Sequence, residues 1–320
     1  MPTRKQRGQG FEDIVSMGEV GDYFHDLLVE SDELPIKVTT FENFVQDVFA
    51  LSYPEYDFNT WHIHYISNCV DKVLAKADNP YLLAALPRGH LKSTILGDAF
   101  CIYRMLTAYG DGIYISYKEE LAGYHLSKIK KAVIQNHILS PIFKDLSPQS
   151  DSIINYRVGS KRMKIFGSGI FAVKRGIHTD LALICDDILG DIDNPLVLTE
   201  IDKATRIFNM EIIPLLNQMC PLFLFGTVLD ETDIFFTTKD NENFNVIWLP
   251  AVDPTPEHKY LWEARFGEKV LRDLKKTMGW KAFSTEYLLV PLRATEAFFT
   301  REQLDPLISA DLKNFQVPGY

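Results

Sequence analysis

Between Tyr81 and Val133 the sequence twice repeats one pattern, a short run apolar throughout followed by an amphipathic stripe at helical spacing. Tyr81 to Leu86 (YLLAAL) is bounded by Asn79-Pro80 and Pro87-Arg88-Gly89, as expected of a buried strand. Ile95, Ala99, Ile102 and Leu106 follow at spacings of four, three and four, which predicts a helix from near Lys92 to a stop before Gly110. Gly112 to Tyr117 (GIYISY) and then Ala122, Leu126, Ile129 and Val133 repeat the unit. Strands that are apolar on both faces must be covered on both faces, so these units indicate an α/β fold built on a mainly parallel sheet.

The same signals continue along the chain. Ile153 to Val158 and Met163 to Phe166 flank Gly159-Ser160 and predict a hairpin. Leu181 to Cys185 reads as a third buried strand, residues from about Leu198 to Leu216 as a helix, Leu222 to Val228 as a fourth strand and Asn245 to Val252 as a fifth. Ahead of the sheet, Phe41 to Leu74 is helical in two pieces, broken around Ser52, Pro54, Asp57 and Asn59. After Pro254, the patterns Lys269 to Thr277 and Trp280 to Leu289 predict a small helical subdomain packed on the sheet edge. Residues 1–40 read as a polar N-terminal arm, 41–295 as the folded domain and 296–320 as a linker.

Composition narrows the function classes. With 46% hydrophobic and 24% charged residues the chain suits one large core, and its longest apolar runs fall far short of the roughly 20 residues needed to cross a bilayer. The basic start MPTRKQRGQG is not followed by a signal-peptide core, so the protein is expected to stay where it is made. Cys69, Cys101, Cys185 and Cys220 are far apart with no Cys-x-x-Cys pair, which fits buried free thiols in a reducing compartment. A net charge of −10 argues against coating nucleic acid over the whole surface and leaves only a local basic patch.

The first strand-to-helix junction, Pro87-Arg88-Gly89-His90-Leu91-Lys92-Ser93-Thr94, carries the chemistry of a phosphate loop. There backbone N–H groups and a helix N-terminus receive phosphates, a Lys reaches the β and γ phosphates, and a Ser or Thr hydroxyl ligates Mg²⁺. Lys92 and Ser93 stand in those two places. The usual two-glycine spacing fails, because Leu86 and Leu91 occupy the glycine positions, and Leu enters φ > 0 at a cost that Gly does not pay. Read without the rest of the chain, the segment is also consistent with a simple turn capped by Ser93 or Thr94.

Two further strand ends add to this. Leu181-Ala182-Leu183-Ile184-Cys185 runs into Asp186-Asp187. A carboxylate at the tip of a buried parallel strand beside the phosphate-loop strand is where Mg²⁺ is held, and a neighbouring carboxylate can activate water. Asp186 is therefore the candidate metal ligand and Asp187 the candidate base, the alternative being an Asp pair that starts a turn. Pro221 to Phe225 ends in Gly226-Thr227, where the Thr227 hydroxyl could sense the γ-phosphate or merely belong to a turn.

Together these segments resemble the large terminase family of tailed double-stranded DNA viruses: PRGHLKST at the phosphate loop, LALICDD at the acidic strand and FGTVLDETD at the coupling motif. Trp61-His62 looks like the family's adenine-side segment, Arg175-Gly176 its R-G turn, and Leu249-Pro250-Ala251 with Ala282 to Pro291 the end of its ATPase region. The resemblance covers residues from about 41 to 300. It implies a three-layer P-loop NTPase of the additional-strand class with small helical subdomains, using ATP and Mg²⁺. It further implies a homo-oligomeric ring, a pentamer by family resemblance, in the host cell cytoplasm at the portal of an assembling capsid. Its partners would be double-stranded DNA, the portal protein and the small terminase subunit. By position, Arg88 would contact the γ-phosphate and Arg175 would reach a neighbouring subunit's nucleotide, unless either is a structural ion pair. The family's nuclease domain has no counterpart before the chain stops at Tyr320, so no nuclease activity is expected.

Other features point elsewhere or are neutral. His62-Ile63-His64 has the alternation of two metal ligands on a strand but lacks a third. Lys128, Lys130 and Lys131, and Lys161, Arg162 and Lys164, are basic clusters that suit DNA backbone contact or a solvated face. The competing functions are another P-loop DNA-dependent ATPase of helicase or repair type, and a ring or docking module that does not hydrolyse ATP.

Overall fold

The computed structural model describes residues 40–76, 78–150, 152–173, 176–189 and 197–291. The expected N-terminal arm and the expected linker after 295 lie outside these residues, as does Arg175.

Among the described residues the core is an eight-stranded sheet. Its strands are β1 (Tyr81–Ala85), β2 (Gly112–Ser116), β3 (Phe143–Ser150), β4 (Ile153–Val158), β5 (Lys161–Gly169), β6 (Leu183–Asp186), β7 (Leu222–Gly226) and β8 (Phe244–Trp248). They lie in the order β3-β4-β5-β2-β6-β7-β1-β8. All neighbours from β5 to β8 pair in parallel, whereas β3, β4 and β5 form an antiparallel end.

Alternation along the central strands explains the three layers. On β1, Leu82 and Ala84 face one apolar cluster while Leu83 and Ala85 face another. On β7, Phe223 and Phe225 divide from Leu222 and Leu224 in the same way. The first cluster is covered by α1 (Phe41–Asp47), α2 (Trp61–Leu74), α3 (residues 93–107) and α4 (Glu119–Gln135), and the second by α5 (Val197–Ile207) and α6 (Ile234–Thr238). Helix α3 opens as a π-helical stretch, Ser93–Ala99, and continues as α-helix over Phe100–Thr107. Such stretches are rare and concentrate at functional sites. The result is a three-layer α/β arrangement, a mainly parallel sheet covered by helices on both faces.

Three expectations are corrected. The acidic strand β6 does not lie beside β1, because β7 is inserted between them. His62 and His64 lie on helix α2 rather than on a strand, so two-residue spacing turns them to different sides. His62 is buried, and the His64 Nδ1 sits 2.9 Å from Glu42. The expected helical subdomain after Pro254 begins instead with a strand pair, β9 (Val252–Thr255) and β10 (His258–Tyr260), and with α7 (Glu263–Phe266), α8 (Glu268–Met278) and α9 (Trp280–Leu288) it packs over the loop after β1 through Phe266 and Glu286.

Among the described residues no helix is long and apolar enough to cross a membrane. Cys69, Cys101, Cys185 and Cys220 are free thiols, with the last three buried.

Candidate phosphate-binding site

The loop after β1 is held from both sides. Leu86 N–H donates to the Gly226 carbonyl at 3.1 Å, and Arg88 N–H donates to the Glu286 carbonyl at 3.1 Å. Gly89 has φ +80°, and a Cβ there would come 2.8 Å from the Phe266 ring, so both the turn and the close approach require glycine. Leu91 does adopt the left-handed conformation, φ +62°, that a glycine would take at its position. The loop geometry is therefore kept despite the departure from the glycine pattern, at a strain of about 1–2 kcal/mol. Packing offsets part of it, since Leu91 is partly buried against the apolar cluster that contains Phe266.

This frame sorts the loop residues. Pro87, His90, Lys92 and Thr94 are buried, Leu91 and Ser93 half-buried, and Arg88 and Gly89 exposed. The His90 ring stacks on Phe266 at 4.2 Å and its Nδ1 faces the Arg88 carbonyl at 3.0 Å, so its side chain serves the loop's packing rather than the opening. Arg88 reaches toward Glu286, at 3.8 Å, with its side chain 73% exposed.

Across the cleft, β6 and β7 end level with the loop. Lys92 Nζ is 2.9 Å from Asp187 Oδ2. Ser93 Oγ donates to Asp186 Oδ1 at 2.9 Å, and Tyr114 OH donates to Asp186 Oδ2 at 2.7 Å. Asp187 turns out of the strand with φ +44°, a left-handed conformation that Asp tolerates better than most residues. Gly226 admits it, since a Cβ at that position would lie 2.7 Å from Asp187 Oδ1. Thr227 joins Arg88, Lys92 and Asp187 in lining an open cleft of about 260 Å³. The structure thus brings Arg88, Lys92, Asp187 and Thr227 to one cleft, with the hydrogen-bonded Ser93 and Asp186 next in sequence to Lys92 and Asp187.

The electrostatics follow from burial. Burial disfavours the Lys92 ammonium, yet the charges of Asp187, Asp186 and Glu286 outweigh it and raise its pKa. The Asp186 carboxyl is pushed up to about 6 by burial and by Asp187, with His125, Lys92 and Tyr114 acting the other way. A site with two carboxylates and one buried ammonium is matched to a ligand that brings both anionic oxygens and a divalent cation. The donor set fits Mg²⁺: hard oxygens from Ser93 and Asp186, few in number, as suits an ion that keeps much of its water.

Trp61, at the start of α2, stacks face to face on His258 at 3.9 Å. It lies next to His62, whose ring is 6.4 Å from that of His90, so the helix start and the phosphate loop are neighbours. Asp98, His125 and Tyr114 were not singled out in the sequence. A polar group on the apolar side of a helix or inside a buried strand was the available signal. Lys128, grouped there with the exposed cations, turns inward to Asp98 at 2.8 Å.

The fold is a mixed α/β protein in which the loop after β1 and the ends of β6 and β7 bring Lys92, Ser93, Asp186 and Asp187 together. Among solved structures the chain is similar to the large terminase from a thermophilic bacteriophage. The form in complex with ATP-gamma-S is 11% identical with a TM-score of 0.44, covering 68% of this chain and 48% of that one. The form in complex with ADP is 10% identical with a TM-score of 0.45, covering 68% and 49%. A third structure of the same phage protein is 11% identical with a TM-score of 0.45, covering 70% and 52%. The chain spans about half the length of these structures. No protein-family model matches the sequence, and none of the curated proteins matches it.

Proposed function

We propose that this chain is the Mg²⁺-dependent ATPase motor region of a viral large terminase, which drives double-stranded DNA into a capsid. The observation that carries the ATPase reading is the convergence of Lys92 and Ser93 with Asp186 and Asp187 across the tip of β7. Pro87 to Thr94 would wrap the phosphates through backbone N–H groups, and Trp61 would contribute to the adenine side. Mg²⁺, held by Ser93 and Asp186, would supply charge neutralisation at the phosphates.

The chain's own residues account for the remaining chemistry. Lys92 exchanges its Asp187 partner for phosphate oxygens. That exchange frees the Asp187 carboxylate to accept a hydrogen bond from water and take its proton, so the base loses its ammonium partner only when nucleotide is present. Arg88, exposed at the rim, stabilises charge on the γ-phosphate. Thr227, just after the strand between loop and carboxylates, would report the loss of that phosphate to the segment that follows. Arg175 remains the candidate to act on a neighbouring subunit's site. The motor's DNA, portal and small-subunit partners, its ring and its place at the capsid portal come from the sequence resemblance.

Phosphate release by the purified chain tests the ATPase reading. Turnover should require Mg²⁺ and vanish in Lys92→Ala; turnover undiminished in that variant contradicts the assignment. Stimulation of the same turnover by double-stranded DNA tests the motor reading, and indifference to DNA counts against it.

A further inference from the structure

Behind Asp186 lies a buried polar cluster that the phosphate chemistry does not use directly. Asp98 is fully buried on α3. A lone carboxylate there would be very costly, so its partners matter. Lys128 Nζ lies 2.8 Å from Asp98 Oδ2, and Tyr53 OH donates to the same oxygen at 3.4 Å. The His125 ring stands between the two buried carboxylates, with Nδ1 3.6 Å from Asp98 Oδ1 and Nε2 3.4 Å from Asp186 Oδ2. Among the described residues Asp98 Oδ1 and His125 Nδ1 are both buried without a hydrogen-bond partner, so their 3.6 Å approach pairs them as ions when His125 is protonated.

Tyr114 approaches from β2 and donates to the same Asp186 oxygen that His125 faces. Its path depends on Gly97. A Cβ on Gly97 would come 2.5 Å from the Tyr114 hydroxyl and 3.4 Å from Cζ. Glycine inside a helix is destabilising relative to alanine. Here it opens the route by which the phenol reaches Asp186.

We propose that Tyr114 and His125 are positioning residues for the metal-binding carboxylate, with Asp98 and Lys128 fixing His125, so that helix α4 sets the orientation of Asp186. The inference rests on the phosphate-site reading above and deepens it. Asp186 has two oxygens to orient. Ser93 and Tyr114 hold one each by hydrogen bonds, and His125 braces the second. Removing either brace leaves the carboxylate in place but free to rotate. Ion affinity then falls, because ligands oriented by outer partners bind metals about 10–100-fold more tightly than the same ligands without them. Metal-free nucleotide affinity, which depends on the loop and Lys92, is not touched.

The test is binding of a fluorescent ADP analogue to the purified chain, titrated with Mg²⁺ and repeated in EDTA. Tyr114→Phe keeps the ring and removes only the hydroxyl. His125→Gln keeps a polar side chain of similar reach. Both should raise the half-saturating Mg²⁺ concentration about tenfold or more, with affinity in EDTA unchanged. Gly97→Ala should do the same by displacing the phenol. Excess Mg²⁺ should restore phosphate release in Tyr114→Phe but not in Asp186→Asn. A wild-type Mg²⁺ midpoint retained in both Tyr114→Phe and His125→Gln overturns the inference. Wild-type binding indifferent both to Mg²⁺ and to Lys92→Ala would instead overturn the phosphate-site reading, and this inference with it.

Discussion

Lys92 and Asp187 share one ion pair, but the proposed mechanism gives the two residues different tasks, and their variants should part accordingly. In the proposed site Lys92 would bind phosphate in ground and transition states alike, so Lys92→Ala should lose affinity and turnover together. Asp187 would act on water. Asp187→Asn should still bind Mg²⁺ and nucleotide while hydrolysis falls by about two orders of magnitude or more, the scale of losing a general base. Equilibrium binding alongside single-turnover hydrolysis separates the two. If Asp187→Asn hydrolyses normally, the water-activating role belongs elsewhere.

The phosphate loop is the element where sequence pattern and structure pull against each other. Leu91 sits at φ +62° where a glycine is usual, and side-chain shape decides how well that is borne. Leu91→Ile keeps the volume but adds a β-branch, which makes left-handed backbone a genuine outlier. It should weaken nucleotide binding about tenfold, roughly the 1–2 kcal/mol scale of such strain. Leu91→Gly should bind as the parent does while losing some thermal stability with the packing. Equal affinities in the two variants would mean that the loop does not need φ > 0 at this position.

Much of this element level was legible in advance because burial on both faces leaves an unbroken apolar run. β1, β2, β6 and β7 all declare themselves so, and the helices between them show a 3.6-residue stripe. Other features left no such trace. The order of parallel strands is a matter of tertiary pairing, so nothing in LALICDD or FLFGT says that β7 lies between β6 and β1. β3 reads poorly because Phe143–Ser150 holds Ser147-Pro148 and lies at the antiparallel end of the sheet. His62 and His64 showed a period of two, which over three residues cannot distinguish a strand from a helix. Within the site, Lys92, Ser93, Asp186 and Asp187 were legible because each ends a buried strand or begins the following helix. Tyr114, Asp98 and His125 come together only through packing of β2, α3 and α4.

At the scale of the whole molecule, the seam between the sheet and the C-terminal helices carries a pH dependence. His62 and His90 are both fully buried there, beside Trp262. Burial lowers their pKa values to about 3 and about 4, against 6.5 for the free side chain. Above pH 6.5 both states are neutral and the packing is fully effective. As pH falls below 6.5 the unfolded chain binds protons that the folded chain refuses, so stability is lost at up to about 1.4 kcal/mol per pH unit for each ring. Asp186 and Asp233, whose pKa values are raised to about 6 chiefly by burial, act in the opposite sense between pH 6 and 4. The histidine contribution is therefore read from a difference. Melting temperature should fall less between pH 6.5 and 4.5 in His62→Phe than in the parent, and parallel curves would refute the assignment.

Assembly adds the other whole-molecule expectation. A guanidinium supplied from a neighbouring subunit can be worth about 10³ or more in rate. Mixtures of Arg175→Ala and Lys92→Ala chains should then recover turnover, because each has what the other lacks. No recovery in mixtures that demonstrably co-assemble would leave Arg88 as the source of that charge.

A crystal structure of the chain with Mg²⁺ and a slowly hydrolysed ATP analogue tests the central claim most directly. The account predicts phosphates in the cleft between Arg88, Lys92, Asp187 and Thr227, the cation on Ser93 and Asp186, and Lys92 moved from Asp187 onto phosphate oxygens. Nucleotide bound elsewhere, or the 2.9 Å Lys92–Asp187 pair intact beneath it, would contradict the account.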